Sequence, residues 1–494
     1  MKDRLTMPKL LFLLFQVITI AILAVSATGH FGMADGLRIT AAYLVAYLLP
    51  CMVLSRARGS SMMAQVLLLL VAAFLFYIDF KRLIIWTAPD GCSLQLPDIQ
   101  GDARHYYKWA LYKYNGTPEE VHMVYPGFPM LMLGLWKILG LNVVWPQALN
   151  LMFTLLSVVL TGMTTRRLLL HRVQVSPRTL LAGGMGLMGM LPYFLVMGTT
   201  LLKEGSVMVS LAMSGFALSS LSASDQERHW PWRDIILLVM AGILLALVRT
   251  TYLYFVIIGV IIMAIPHWRR DWRMAMSMLM VMGLLLALGD YFSAYSFDRH
   301  AEIAGGGWNM QRTYVIGESQ KFYREFLDYY FLYSVWHKVI LLPLTMAVQF
   351  LLPFPWSYDG IISVIGSASR LTFGWYFIGG TALFYYFYLS LRKHDNMGMW
   401  PWWPALLFAA VAYLMAGSVA RYVVPFQLLF VPVAMYVLCL LHEGHWRKPY
   451  LWWLAILVVM LIVTLLLCFE LQKATISQML GLPPLGDYLI QFFN

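Results

Sequence analysis

The sequence predicts an all-α polytopic membrane protein of about thirteen transmembrane helices, with extracytoplasmic loops carrying short amphipathic helices. Three observations predict it. The 494-residue chain is 61% hydrophobic and 12% charged, with mean hydropathy +0.70, whereas soluble domains carry about a quarter charged residues. Apolar runs long enough to cross a bilayer follow one another along most of its length. Lys and Arg give a formal charge of +11, yet they fall in short clusters between those runs, where they set topology and form no nucleic-acid face.

The first run, residues 9–28, follows Lys2, Arg4 and Lys9 as a signal peptide would. It is about 20 residues long and further spans follow, so it reads as a retained anchor. Further runs lie at 38–55, 62–80, 147–165, 179–197, 205–221, 274–290, 372–391, 401–417, 422–441 and 450–469. The stretch from Ile235 to Pro266 is longer than one span needs and carries Arg249, Thr250 and Thr251 at its middle. An Arg at the bilayer centre costs at least about 2.5 kcal/mol, so this stretch reads as two short helices joined at a membrane face.

Orientation follows from the basic clusters Arg56/Arg58, Arg166/Arg167/Arg172/Arg178, Arg228/Arg233, Arg269/Arg270/Arg273, Arg392/Lys393 and Arg447/Lys448. With the N-terminus inside, all of them are cytoplasmic, provided that Val339 to Leu352 lies as a re-entrant or interfacial segment on the outer side. Lys81 and Arg82 are left outside as exceptions. The chain then divides into N-terminal spans (1–80), a first large outer loop (81–146), core spans (147–290), a second outer loop with the re-entrant segment (291–371) and C-terminal spans (372–494). Cys51, Cys439 and Cys468 lie in apolar segments and Cys92 stands alone in the first loop, so no disulfide framework is implied.

The first outer loop holds a polar, aromatic, carboxylate-bearing island, QLPDIQGDARHYYKWALYKYNGTPEEVHMVYPGFP, at residues 96–130. Ala103, Tyr107, Ala110 and Tyr114 are spaced to share one face of a short helix, with Asp102 at its start. Asp102 there serves as an N-cap or as a base, and the two roles are compatible. The chain then passes Tyr125-Pro126-Gly127-Phe128-Pro129 into an apolar segment ending at Gly140, too short to span, which is expected to lie in the interface with Trp136 and Lys137 near the headgroups.

A membrane-proximal Gly-Asp-Ala with aromatics after it, a Tyr-Pro turn some twenty residues on, a short amphipathic helix and a span ending in Arg166-Arg167 together resemble the GT-C superfamily of polytopic glycosyltransferases. The resemblance covers residues 62–265 and the remainder in outline. These enzymes use polyprenyl-phosphate-linked sugars; protein O-mannosyltransferases and bacterial lipid A aminoarabinose transferases are examples. The resemblance implies a GT-C-like fold, a catalytic acidic residue in the first outer loop, here Asp102, and a place for Tyr125 among the substrate-binding residues. In the family the acidic loop follows the first span, whereas here two further helices come before that span, and a single Asp followed by Ala103-Arg104 stands where many members carry an acidic pair. Asp98 and Asp90 therefore remain rivals, with Glu119 and Glu120 behind them.

Inverting transfer from a lipid-phosphate sugar needs a base near the acceptor hydroxyl and cations near the leaving phosphate. Lys203 with Glu204, Arg249, Arg370 and Arg421 lie at outer span ends, apart from the cytoplasmic clusters. Arg249, beside Thr250, and Arg421, beside Tyr422, are the foremost phosphate candidates, because a guanidinium binds phosphate oxygens bidentately. Each also suits a plain interface anchor, and Lys203 also suits a simple pair with Glu204. In the second loop, Gly305-Gly306-Gly307-Trp308 and Tyr314, Tyr323, Tyr329 and Tyr330 suit either a lid over an acceptor sugar or an aromatic belt.

Three motifs are set aside. Gly184-Met185-Gly186-Leu187-Met188-Gly189 fits a dinucleotide fingerprint but lies in a span, where close helix packing explains it. His442-Glu443-Gly444-His445 has the wrong spacing for a zinc helix, and Asn115-Gly116-Thr117 is a sequon only in a secretory compartment. No cofactor is specified, and a divalent cation is the one left open. The leading reading is a transferase of a bacterial inner membrane, N-terminus cytoplasmic and active site periplasmic, that takes a polyprenyl-phosphate-linked donor and a glycan, lipid or protein acceptor among membrane lipids. A polymerase or ligase using polyprenyl-diphosphate glycan and a lipid-linked sugar flippase or transporter are the alternatives.

Overall fold

The computed structural model describes residues 7–87, 93–99, 101–117, 127–191, 195, 198–223, 231–268, 272–293, 379–391, 397–415, 420–443, 451–452, 455 and 458. Among them there is no strand, and the protein is an all-α membrane protein. Six helices are long and apolar enough to cross a membrane among the described residues. The chain forms two compact units, residues 1–294 with 397–400, and residues 295–396 with 401–494.

The first unit contains α1 (Met7–Phe31), α2 (Met33–Arg56), α3 (Met62–Trp86), α4 (Gly101–Asn115), α5 (Gly127–Leu139), α6 (Val144–Leu169), α7 (Pro177–Gly189), α8 (Glu204–Ala223), α9 (Trp232–Val248), α10 (Thr250–Trp268) and α11 (Trp272–Ser293). Helices α1 and α2 form a hairpin on Gly32, whose φ of +82° favours glycine. Gln16 Nε2 donates to Tyr47 Oη at 2.8 Å across it. Helix α1 keeps most of its apolar surface exposed, as a lipid-facing helix does.

Helix α6 is the centre of this unit, packed on α2, α7 and α8, with Leu151, Leu155, Val158 and Val159 fully buried. Small residues let α7 approach it. A Cβ on Gly162 would lie 2.8 Å from the Leu181 carbonyl, and one on Gly184 2.8 Å from Thr165 Cβ. The glycine-rich stretch beginning at Gly184 is thus a packing surface at its first glycine. Several hydroxyls in this core bond one turn back within their own helices, Thr154 to Asn150 O at 2.9 Å and Ser210 to Ser206 O at 2.8 Å.

Two sequence expectations meet the structure informatively. The run 179–197 is not one continuous helix: α7 ends at Gly189, and Pro192 stands three residues on in the sequence, where proline commonly follows a helix end. The stretch 235–266 does divide, at Arg249, whose φ of −166° and ψ of 86° are extended. The break costs little, because Thr250 Oγ1 donates to Ala246 O at 3.2 Å in place of the lost backbone bond.

At the end of the unit where α2 meets α3 and α6 meets α7, Arg167 joins three helices. It donates to Asp234 Oδ2 of α9 at 2.8 Å and to Phe216 O of α8 at 3.0 Å, with its guanidinium 4.0 Å over the Phe216 ring.

The second unit contains α12 (Thr381–Leu391), α13 (Trp402–Met415) and α14 (Ala420–His442). Tyr386 of α12 meets Tyr436 of α14 edge-on at 6.1 Å, and Phe408 of α13 meets Phe430 of α14 at 6.3 Å. The second outer loop, with Val339 to Leu352 and the glycine run, lies outside the described residues.

Asp234 is 6% exposed and Arg167 27%, so Asp234→Ala strands a cation among three helices and is expected to cost roughly 1–3 kcal/mol. Thermal melting of the purified chain in detergent measures this. An unchanged midpoint would show that the clip does not hold α6, α8 and α9 together.

Candidate functional site

The opposite end of the first unit is where α4 and α5 project, and the bonds that pin them are local. Asp98 N–H donates to Trp86 O at 3.0 Å, and Val143 N–H donates to Leu94 O at 2.9 Å, which ties the loop to the end of α3 and the start of α6. Tyr107 donates its hydroxyl to Gln95 O, and burial raises that hydroxyl above the usual tyrosine range, so it stays protonated and keeps its donor. Tyr107 and Tyr114 meet the Trp136 ring edge-on at 5.1 and 6.3 Å. Trp136 is wholly buried and its Nε1 donates to Asn142 O at 2.8 Å. This corrects the expectation that Trp136 rests among headgroups: it is the core of the α4–α5 contact, because only there does its N–H find a partner.

Asp102 lies half-buried in the first turn of α4, where a helix N-terminus favours negative charge. One turn on, Tyr106 meets Phe128 of α5 at 6.1 Å. Gly127 at the start of α5 packs against the Leu247 carbonyl of α9, where a side chain would not fit. Two residues further is Arg249, 8% exposed, its guanidinium 4.8 Å above the Tyr252 ring. A continuous series of contacts therefore links the Asp102 helix to the α9–α10 break.

The same end holds a buried polar cluster that charge counting alone does not reveal. Asp79 and Arg82 lie within α3 and pair at 3.1 Å, Asp79 wholly buried and Arg82 11% exposed. Arg82 also donates to Thr199 Oγ1 at 2.9 Å, and Gln147 Nε2 of α6 donates to Asp79 O at 3.3 Å. Asn150 donates to Leu202 O at 2.9 Å and to Thr200 O. The segment 198–203 is thereby fixed against α3 and α6, and it delivers Lys203 and Glu204 to the start of α8. Gly205 allows the approach, since a Cβ there would lie 2.7 Å from Asn150 Oδ1. Glu204 is 4% exposed, and its Oε2 makes no hydrogen bond among the described residues.

The two basic exceptions to the topology rule now have a reason. Lys81 reaches out along α3 with its ammonium 5.7 Å from the Tyr77 ring, and Arg82 turns inward to a carboxylate. The signal for this was the i, i+3 spacing of Asp79 and Arg82, which puts both on one helical face.

Of the residues proposed from sequence, Asp102, Lys203, Glu204 and Arg249 belong to this end of the first unit. Arg421 and Tyr422 fall in the first turns of α14 in the second unit, where only their backbone is described, and Tyr125 and Arg370 lie outside the described residues. Of the rival acids, Asp98 lies in the described loop, while Asp90, Glu119 and Glu120 do not. No three His, Cys, Asp or Glu side chains gather as a metal site among the described residues. Comparison with protein-family models, curated proteins and solved structures returns no match.

Breaking the α3 pair from one side leaves a buried charge. Asp79→Asn is expected to cost about 3–5 kcal/mol, and the double change Asp79→Leu with Arg82→Met to recover most of it. Equal melting temperatures for wild type and Asp79→Asn in detergent would remove the pair from the framework of the site.

Proposed function

We propose that this chain is a membrane glycosyltransferase that moves a sugar from a polyprenyl-phosphate-linked donor to a glycan, lipid or protein acceptor, with inversion, at the outer face of a bacterial inner membrane. The observation that carries the reading is the gathering of a helix-terminal carboxylate, Asp102, with Lys203, Glu204 and Arg249 at one end of the first unit, on segments held by buried polar contacts. Arg249, 8% exposed, stands at the break between α9 and α10 with its guanidinium over the Tyr252 ring, a planar group suited to phosphate oxygens.

In this mechanism Asp102 accepts the proton of the acceptor hydroxyl as the oxygen attacks the anomeric carbon. The bond from that carbon to the phosphate oxygen breaks, and Arg249 and Lys203 neutralise the charge growing on the departing lipid phosphate. The positive-inside rule supports an outer position for this end, and the apolar runs of the sequence support about thirteen spans.

A second reading, a transporter or flippase for a lipid-linked sugar, draws on the Asp79–Arg82 pair. Asp79 lies seven residues before the end of α3, about 10 Å along its axis, and transporters place charged groups inside their spans. Arg82 is held by both Asp79 and Thr199, which suits a fixed framework better than a substrate pathway.

In purified protein assayed with defined lipid-linked donors, Asp102→Asn is expected to lower turnover about 10²–10⁴-fold while donor binding persists. Arg249→Gln should instead weaken donor binding roughly tenfold or more, as loss of a charge-assisted hydrogen bond does. Unchanged turnover in the first would remove Asp102 as the base; donor movement across vesicles without transfer would favour the transporter.

A further inference from the structure

The other end of the first unit carries a second, separate concentration of cations. The α2–α3 turn and the α6–α7 connection meet there. Gly59 has φ +83°, and a Cβ on it would lie 3.2 Å from Pro177 O and 3.4 Å from Arg166 Cδ. Arg56, Arg58 and Arg178 are exposed, and Arg166 and Arg172 half-exposed. Segments 55–61 and 165–178 contain no Asp or Glu. Arg167 is withdrawn from this group by Asp234, so the pairing visible nearby does not neutralise the rest.

Topology signalling alone requires positive residues near span ends, and it is indifferent to how they are arranged. Here two turns are pressed together, and Arg166 stands within electrostatic reach of both Arg58 and Arg167. Its Nε is buried with no hydrogen bond among the described residues. Guanidinium groups held in mutual repulsion with an unused donor call for an anion with several acceptor oxygens. The depth identifies its source. Arg166 lies one turn before the end of α6, the level of a headgroup where a span ends, while Met52 and Met63 on the flanking helices, 49% and 63% exposed, offer apolar surface beside it.

We propose that these two turns form a binding site for the headgroup of an anionic phospholipid. The phosphate accepts from Arg58, Arg166 and Arg178, and the acyl chains lie along α2 and α3. This site is independent of the transferase reading, since it involves none of the residues assigned to sugar transfer.

The test uses the purified full-length chain in neutral detergent, with native mass spectrometry and thermal melting as readouts. Phosphatidylglycerol is expected to bind and raise the melting temperature, whereas phosphatidylcholine and inorganic phosphate do not. Each Arg→Gln change should lower phosphatidylglycerol affinity about five-fold, from about 1 kcal/mol per basic residue at an anionic surface, so R58Q/R166Q/R178Q loses roughly 100-fold. Where the triple variant does not fold, Arg178→Gln at its exposed position is read alone, with the five-fold loss expected. Equal effects of the two phospholipids, retention of the preference in the variant, or an equal shift with inorganic phosphate would each overturn the lipid site.

Discussion

A carboxylate and a guanidinium three residues apart on α3, removed from water and closed on each other, set the terms for the end of the bundle around them. Hydrocarbon offers no hydrogen bonds, so every polar group that enters it must bring or find a partner. Asp79 and Arg82 bring one another, Arg82 also donates to Thr199, and the backbone carbonyl of Asp79 accepts from Gln147, while Asp79 Oδ2 makes no hydrogen bond among the described residues. With the two Asn150 bonds to the same connecting segment, this holds the residues before α8 between α3 and α6. The position of Lys203 and Glu204 is a consequence of that tethering. A flexible connection would leave both to find headgroups or water on their own.

The same logic divides the cations of the first unit by function. Arg82 is consumed by Asp79 of its own helix and the Thr199 hydroxyl of the segment before α8, Arg167 by Asp234 of α9 and the Phe216 carbonyl of α8, and both behave as ties. Arg249 is buried against an aromatic ring at a helix break. Arg56, Arg58 and Arg178 remain at the opposite surface. Net charge treats all of these alike, and only their surroundings distinguish a tie from a binding group. For a buried pair the contribution to stability is small, because desolvation offsets attraction, while the cost of breaking it from one side is large. A pair between helices, as Arg167 with Asp234, ties neighbours together more than it adds to the free energy of folding.

Much of the architecture was legible in the sequence because lipid imposes a coarse grammar of long apolar runs ended by basic residues. The break at Arg249 was legible for the same reason: a cation at the middle of an over-long run has only a helix end to occupy. The short helix starting near Asp102 followed from its apolar spacing, and α5 from its length. What was not legible depended on pairing across the fold. Nothing local to Arg82 except Asp79 says that it faces inward. Trp136 reads as an interfacial anchor until Tyr107, Tyr114 and Asn142 are seen around it. The early end of α7 was written in the sequence as Pro192, but hydropathy averaged across it.

The candidate site follows from these constraints in a definite order. Burial of Tyr107 and Trp136 makes α4 and α5 one body, and the absence of a side chain at Gly127 lets that body rest on the last turn of α9. The Arg249 break is the end of that same helix. Asp102 and Arg249 are therefore carried by elements in contact through α5, whereas Lys203 and Glu204 are carried by a segment tied to α3 and α6. In the transfer we propose, two separately anchored groups, one with a carboxylate and a guanidinium, the other with an ammonium and a buried carboxylate, hold a phosphate and an acceptor hydroxyl at once. Such an arrangement accelerates transfer only to the extent that both anchors are rigid, since misplacement by about 1 Å is enough to cost about a hundredfold in rate. The bonds at Gln95, Asn142, Thr199 and Leu202, none of which touches a substrate, are for that reason as much a part of the proposed chemistry as Asp102 itself.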